Sequence, residues 1–149
     1  MKYEARKFNQ ELYNNSDKYA KERITDFLTK REHIVLEDKE NFKHDLVTVK
    51  NGEKFYFEFE VKRNYPFTNK DDYSFNTVSF LGRKKRLHDI EPFYYLILCY
   101  ETNSVVYCHS SDIYKDKYRE VLSLSKHYRK GKDEMYRVPI SSCKFFTIK

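Results

Sequence analysis

A chain of 149 residues favours one domain, and with only three Gly and three Pro it is neither collagen-like nor linker-rich. Aromatic residues make up 17%, all Tyr and Phe, which is enough large apolar surface for a real core and excludes wholesale disorder. Lys and Arg total 29 against 23 Asp and Glu, and the formal net charge of +6 is compatible with a polyanionic partner without naming one. The cysteines, Cys99, Cys108 and Cys143, form no CxxC and read as reduced thiols of a cytosol-like compartment. The N-terminal MKYEARKFNQ has no apolar signal core, and the longest apolar run, 93–100, is too short to span a bilayer. A cytoplasmic setting without a membrane partner is therefore expected.

Taken in chain order, residues 1–15 are polar and read as a short helix or a loose arm. Asn14, Asn15, Ser16 and Asp17 offer N-cap side chains, and Ala20, Ile24, Phe27 and Leu28 recur at helical spacing. These predict a helix over 17–32. Strands are predicted at 34–36, 46–49 and 53–62, the last two joined by Asn51-Gly52, the strongest short hairpin signal. Tyr65-Pro66 closes the second of them. Residues 75–88 read as a helix rich in Arg and Lys and interrupted near Gly82. A second hairpin turns at Asn103 between 93–100 and 104–108. A helix over 112–127, a basic loop over 129–132 and strands at 135–140 and 144–148 complete the chain. The expectation is one mixed αβ domain, 1–149, built on a central sheet.

The Asn51-Gly52 turn sets a register. Lys50 opposes Glu53, Val47 opposes Tyr56, and Asp45 opposes Glu58. One face then carries Leu46, Thr48, Phe55, Phe57, Phe59 and Val61. The other carries Asp45, Val47, Val49, Tyr56, Glu58, Glu60 and Lys62. Glu60 is diagonal to Asp45, within roughly 7–8 Å between the two backbones. Carboxylates so close repel unless a cation sits among them. Lys62 is one candidate, and a hard divalent cation with oxygen ligands is another. Such a cation lowers the pKa of bound water, which Lys62 can help to orient or deprotonate.

Asp45, fourteen intervening residues and then Glu60-Val61-Lys62 resemble the D…(D/E)xK motif of the PD-(D/E)XK nuclease superfamily, which includes restriction endonucleases, archaeal Holliday-junction resolvases and phage exonucleases. The resemblance covers roughly residues 17 to 108. It implies a restriction-endonuclease-like mixed sheet flanked by helices, with the Asp at the start of one core strand and ExK on the next. It also implies an acidic residue on the preceding helix, matched here by Glu22, and a helix after the ExK strand. By family roles Asp45, Glu60 and the Val61 carbonyl hold Mg²⁺ or Mn²⁺, and Lys62 positions the attacking water. His44 stands where the family often has Pro, and Glu22 lies well round its helix from the apolar stripe. The implied activity is metal-dependent hydrolysis of DNA, by a homodimer where two strands are cut. A nuclease directed at RNA and a catalytically inactive nucleic-acid-binding or accessory protein on the same fold are the alternatives. The bland alternative is a surface hairpin with solvated cross-strand pairs.

Arg83, Lys84, Lys85 and Arg86 read as a phosphate-tracking helix face or, more plainly, as a solvated one. Lys126, Arg129, Lys130 and Lys132 form a second basic cluster around Tyr128, suited to single-stranded or distorted nucleic acid, or to an exposed loop. His44 is expected, by strand parity, on the face opposite Asp45. A zinc site is not expected from scattered His and Cys, and no Gly-rich phosphate loop is present. The Lys-, Tyr-, Phe- and Asn-heavy composition fits an AT-rich genome such as a phage's.

Overall fold

The computed structural model describes residues 10–36, 43–123 and 132–148. Its centre is a six-stranded mixed sheet in the order β1 (Ile34–Leu36), β2 (Leu46–Lys50), β3 (Glu53–Lys62), β5 (Tyr94–Cys99), β6 (Ser104–His109) and β9 (Lys144–Thr147). Neighbours are antiparallel except β3 and β5, which run parallel. A smaller antiparallel sheet has the order β4 (Thr77–Leu81), β8 (Lys132–Pro139), β7 (Arg119–Ser123). The helices are α1 (Gln10–Thr29), α2 (Lys85–Ile90) and α3 (Ser110–Ile113).

The hairpin has the register its turn predicts: Lys50 pairs with Glu53, Val49 with Lys54 and Val47 with Tyr56. Asn51 and Gly52 both take positive φ, 53° and 78°, as the two central residues of a type I′ turn require. Asn103 does the same (φ 58°) between β5 and β6. The two sheet faces divide as the alternation demands. Leu46, Phe57 and Phe59, with Leu96 and Leu98 of β5, pack against Ala20, Ile24 and Leu28 of α1. Each large side chain so buried contributes about 1.5–3 kcal/mol. The opposite face, with Tyr95, Ile97 and Val106, packs on Val78 and Phe80 of β4 and Tyr136 and Val138 of β8. The molecule is thus layered: α1, the large sheet, then the small sheet with α2 and α3.

Four expectations are corrected. Helix α1 starts at Gln10 rather than near Asp17, so the expected N-cap residues lie inside it. Its end is set by Glu32 in the left-handed region (φ 70°), with the His33 N–H bonded to the Leu28 carbonyl. Residues 75–88 are not one helix: Thr77–Leu81 is a strand whose alternate residues are buried against the core. Pairing with β8 decides this, and the chain turns helical only at Gly82. The expected 112–127 helix is not formed over its described part, 112–123. After the short α3 the chain makes a 3₁₀ turn, Asp116–Tyr118, and enters β7 on β8. Ile113, Tyr114 and Tyr118 meet the core from that path, so these apolar groups are packed without a long helix. Finally, His44 packs on Tyr56 and Phe93, on the Asp45 side of the sheet, because it precedes the paired strand and the alternation does not reach it. Residues 1–9 of the expected arm lie outside the described residues, as do Lys126, Tyr128, Arg129 and Lys130. Lys132 opens β8.

Candidate active site

Beyond the last β2–β3 pair, the two chains stay together through side chains. The Asp45 N–H donates to Glu58 Oε2 (2.6 Å), and the Phe59 N–H donates to Asp45 Oδ2 (3.0 Å). The two carboxylates therefore meet across the hairpin, Glu58 buried and Asp45 close to half exposed. Both lie on the face shared with the small sheet.

The positive charge between them is Lys84. Its Nζ lies 3.2 Å from Glu58 Oε1 and 3.9 Å from Asp45 Oδ2, and it donates to the Phe59 carbonyl at 3.2 Å. It also lies 5.1 Å from the centre of the Tyr95 ring. Only 16% of the Lys84 side chain is exposed. Burial pushes the Glu58 carboxyl above its ordinary value, and the Lys84 ammonium works against that rise.

Glu60 is the next residue along the same face, about 7 Å on at strand spacing. Its Oε2 accepts from the Tyr95 hydroxyl at 2.9 Å, and that hydroxyl accepts from the Leu81 N–H at 3.4 Å. Burial, then the charge of Glu60, push the Tyr95 phenol well up, so it stays protonated and acts as a fixed donor. The Tyr114 hydroxyl donates to the Leu81 carbonyl at 3.0 Å, which fastens the same turn from the α3 side.

The residues singled out in the sequence separate here. Asp45 and Glu60 share the site face. Lys62 is on that face by parity, but its ammonium is directed to the Phe75 ring, 5.8 Å from its centre. Val61 belongs to the opposite face, against the α1 side of the core. Glu22 is exposed on α1 and pairs with Lys18 at 4.0 Å; its helix covers the other side of the sheet, so it is not brought to Asp45. The run 83–86 splits: Arg83 and Arg86 are exposed, Lys85 pairs with Asp89, and Lys84 turns inward. Reading the run as one helix face missed this, because Gly82–Lys84 is a 3₁₀ turn. Glu58 stands opposite Asp45, as the turn register predicts, but its role as the buried acceptor of the Asp45 N–H had no sequence signal. Tyr95 carried no local signal, since the parallel pairing that sets it beside Glu58 is non-local.

Asp45 Oδ2, Glu58 Oε1 and the Phe59 carbonyl are hard oxygen donors gathered round one positive charge, the donor chemistry that suits Mg²⁺ or Mn²⁺. Among the described residues, no group of three or more His, Cys, Asp and Glu side chains is drawn together as a metal donor set. An apolar hollow of ≈ 350 Å³ lies on the α1 side, against Phe27, Phe57 and Tyr94. It is on the far face from the carboxylates. Past Lys62 the surface carries exposed Tyr65, Phe75 and Tyr100, with the Arg63 guanidinium 3.8 Å from the Tyr100 ring centre. Among the described residues no helix is long and apolar enough to cross a membrane. No family model, no curated protein and no solved structure matches the chain.

Proposed function

We propose that this chain hydrolyses phosphodiester bonds of nucleic acid, DNA foremost, with a divalent cation at the open end of the β2–β3 hairpin. The observation that carries the reading is the Asp45–Glu58 pair closed round one largely buried cationic charge and a main-chain carbonyl, with Glu60 one step along the same face. A binder of polyanions gains nothing from carboxylates there unless a cation offsets them. The resemblance to PD-(D/E)XK nucleases is supported by the order of elements: a preceding helix, the Asp at the start of one hairpin strand, the acidic residues on the next, a helix after it, and a mixed sheet.

In this reading Asp45 and Glu60, the Glu on the face left open towards Lys62, hold Mg²⁺ or Mn²⁺. The bound ion supplies a water of lowered pKa and neutralises charge on the phosphoryl oxygens. Glu58 fixes the Asp45 backbone by accepting its N–H, and the Phe59 N–H fixes the Asp45 carboxylate. Tyr95 holds one oxygen of Glu60 and leaves the other available. The exposed aromatics beside Lys62 and Arg63 offer base-stacking surface next to backbone-binding charge. A second copy for cutting both strands, and a cytoplasmic setting for the free cysteines, belong to the same proposal.

One observation favours a second reading, a non-catalytic nucleic-acid binder: Lys62 is directed to Phe75 and not to the carboxylates. A cleavage panel separates the two. Purified protein is offered single-stranded, duplex and branched DNA, and RNA, in Mg²⁺, Mn²⁺ or EDTA. Cutting is expected with metal, absent in EDTA, and reduced about 100-fold or more in Asp45→Asn. Salt-sensitive binding with no cutting in any metal, or cutting that persists in EDTA, overturns the hydrolytic reading.

A further inference from the structure

Lys62 and Lys84 both lie on the carboxylate side of the sheet, and the resemblance points to Lys62. The geometry points to the other: we propose that Lys84, not Lys62, is the amine of the site. The proposal rests on the hydrolytic reading above.

Three independent observations support it. The first is contact. Lys84 Nζ reaches Glu58 Oε1, Asp45 Oδ2 and the Phe59 carbonyl within 3.2–3.9 Å, whereas Lys62 Nζ lies over Phe75. The second is the way the turn is fastened. Lys84 ends the Gly82–Lys84 turn, and Gly82 is wedged against β8 so tightly that a Cβ would come within 2.6 Å of Glu134 Cβ and its carbonyl oxygen. Just before it, Leu81 is held by the Tyr95 and Tyr114 hydroxyls. A lysine on such a base loses less freedom when it points inward than one on an open loop. The third is desolvation. Two carboxylates meeting where one is buried need a counter-charge that is itself shielded, and the Lys84 side chain is 16% exposed.

In the hydrolysis, a water oxygen forms the new P–O bond and the bond to the leaving oxygen breaks. The proton lost by water goes to solvent, and the leaving oxygen takes one from solvent. Lys84 keeps its protons throughout. Its ammonium donates to the attacking water or to a non-bridging phosphoryl oxygen, and holds Asp45 and Glu58 together while the metal is absent.

The test compares wild type, Lys84→Met, Lys84→Arg and Lys62→Met on the substrate that wild type cuts, under single turnover. DNA binding in EDTA and thermal midpoints are read in parallel. Lys84→Met is expected to lower the cleavage rate about 100-fold or more with binding changed less than about threefold. Lys84→Arg restores part of the rate, and Lys62→Met loses less than about fivefold. A readout free of turnover is Mn²⁺ affinity, followed by the midpoint shift. Removing a positive charge 3.9 Å from Asp45 Oδ2 tightens Mn²⁺ at least about fivefold in Lys84→Met and not in Lys62→Met. If Lys84→Met does not fold, Lys84→Gln and Lys84→Arg carry the comparison. A Lys84 variant that folds and still cuts at the wild-type rate overturns this proposal alone, as does an equal or greater loss in Lys62→Met. Unchanged Mn²⁺ affinity does so too. A wild type that cuts nothing overturns the hydrolytic reading and this one with it.

Discussion

His33 shows how a single residue on the α1 side ties stability to pH. Its Nδ1 lies 2.7 Å from Thr48 Oγ1, and its ring meets the edges of Phe55 and Phe57. Burial first, then the nearby Lys50 charge, lower its pKa below the ordinary 6.5. His109 is lowered too, by burial first and by His88, against the pull of Asp112. A folded state that holds a proton less tightly than the unfolded chain keeps its full stability above the unfolded pKa and loses it as pH falls below. The thermal midpoint is therefore expected to drop as pH falls below 6.5. The drop is expected to be shallower in His33→Gln, and an equal slope in the variant would contradict the assignment. Gly52 makes a different single-residue point. A Cβ there meets nothing within 4 Å, yet φ is +78°. Gly52→Ala is expected to cost about 1 kcal/mol by denaturant titration, from backbone strain alone.

At the scale of elements, β3 does two jobs because its side chains alternate. Phe57 and Phe59 anchor it to α1, while Glu58 and Glu60 are presented to the small sheet. The turn after β4 is the second such element. Gly82→Ala forces β8 and the turn apart, and a cost of about 1–3 kcal/mol is expected from the clash. If the chain cleaves phosphodiesters with Lys84 as proposed, the variant is also expected to lose cleavage out of proportion to its stability, because Lys84 rides on that turn, whereas Gly52→Ala keeps its rate. These elements also show what a reader of the sequence can and cannot see. The β2–β3 pairing was legible because a two-residue turn dictates it locally, and with it came the two faces and the place of Asp45. The strand Thr77–Leu81 was not, since its partner β8 lies far along the chain and a window of Val, Phe and Leu fits either structure. The same non-local pairing hid β7 inside the helix expected over 112–127. The acidic half of the site could thus be found from local rules. Its Lys84 and Tyr95 could not, because one depends on a 3₁₀ turn braced by β8 and the other on a parallel neighbour.

At the scale of the whole molecule, the net charge of +6 is unevenly distributed: a buried Glu58 and a half-exposed Asp45 share Lys84 between the layers, while Arg83 and Arg86 of the same run face outward. The two sheets also differ in how the chain builds them. The β2–β3 hairpin closes a two-residue turn, while β4 must wait for β8 from near the end of the chain. Short loops close early and long ones late. In pulse-labelled hydrogen exchange during refolding, amides of Val47–Val49 and Phe55–Phe57 are expected to be protected before those of Val78–Phe80, and the reverse order would contradict this.

The wedge of Gly82 under Glu134 then acquires a temporal meaning. A partly made chain already displays Asp45 and Glu58, but the strand that braces the lysine has not arrived. Such a chain is unarmed: its acidic pair is in place and its amine is not. On the hydrolytic reading, competence would hang on a strand that is remote in sequence from the carboxylates, so any event that lifts β8 from β4 would disarm the site and leave the β2–β3 hairpin whole.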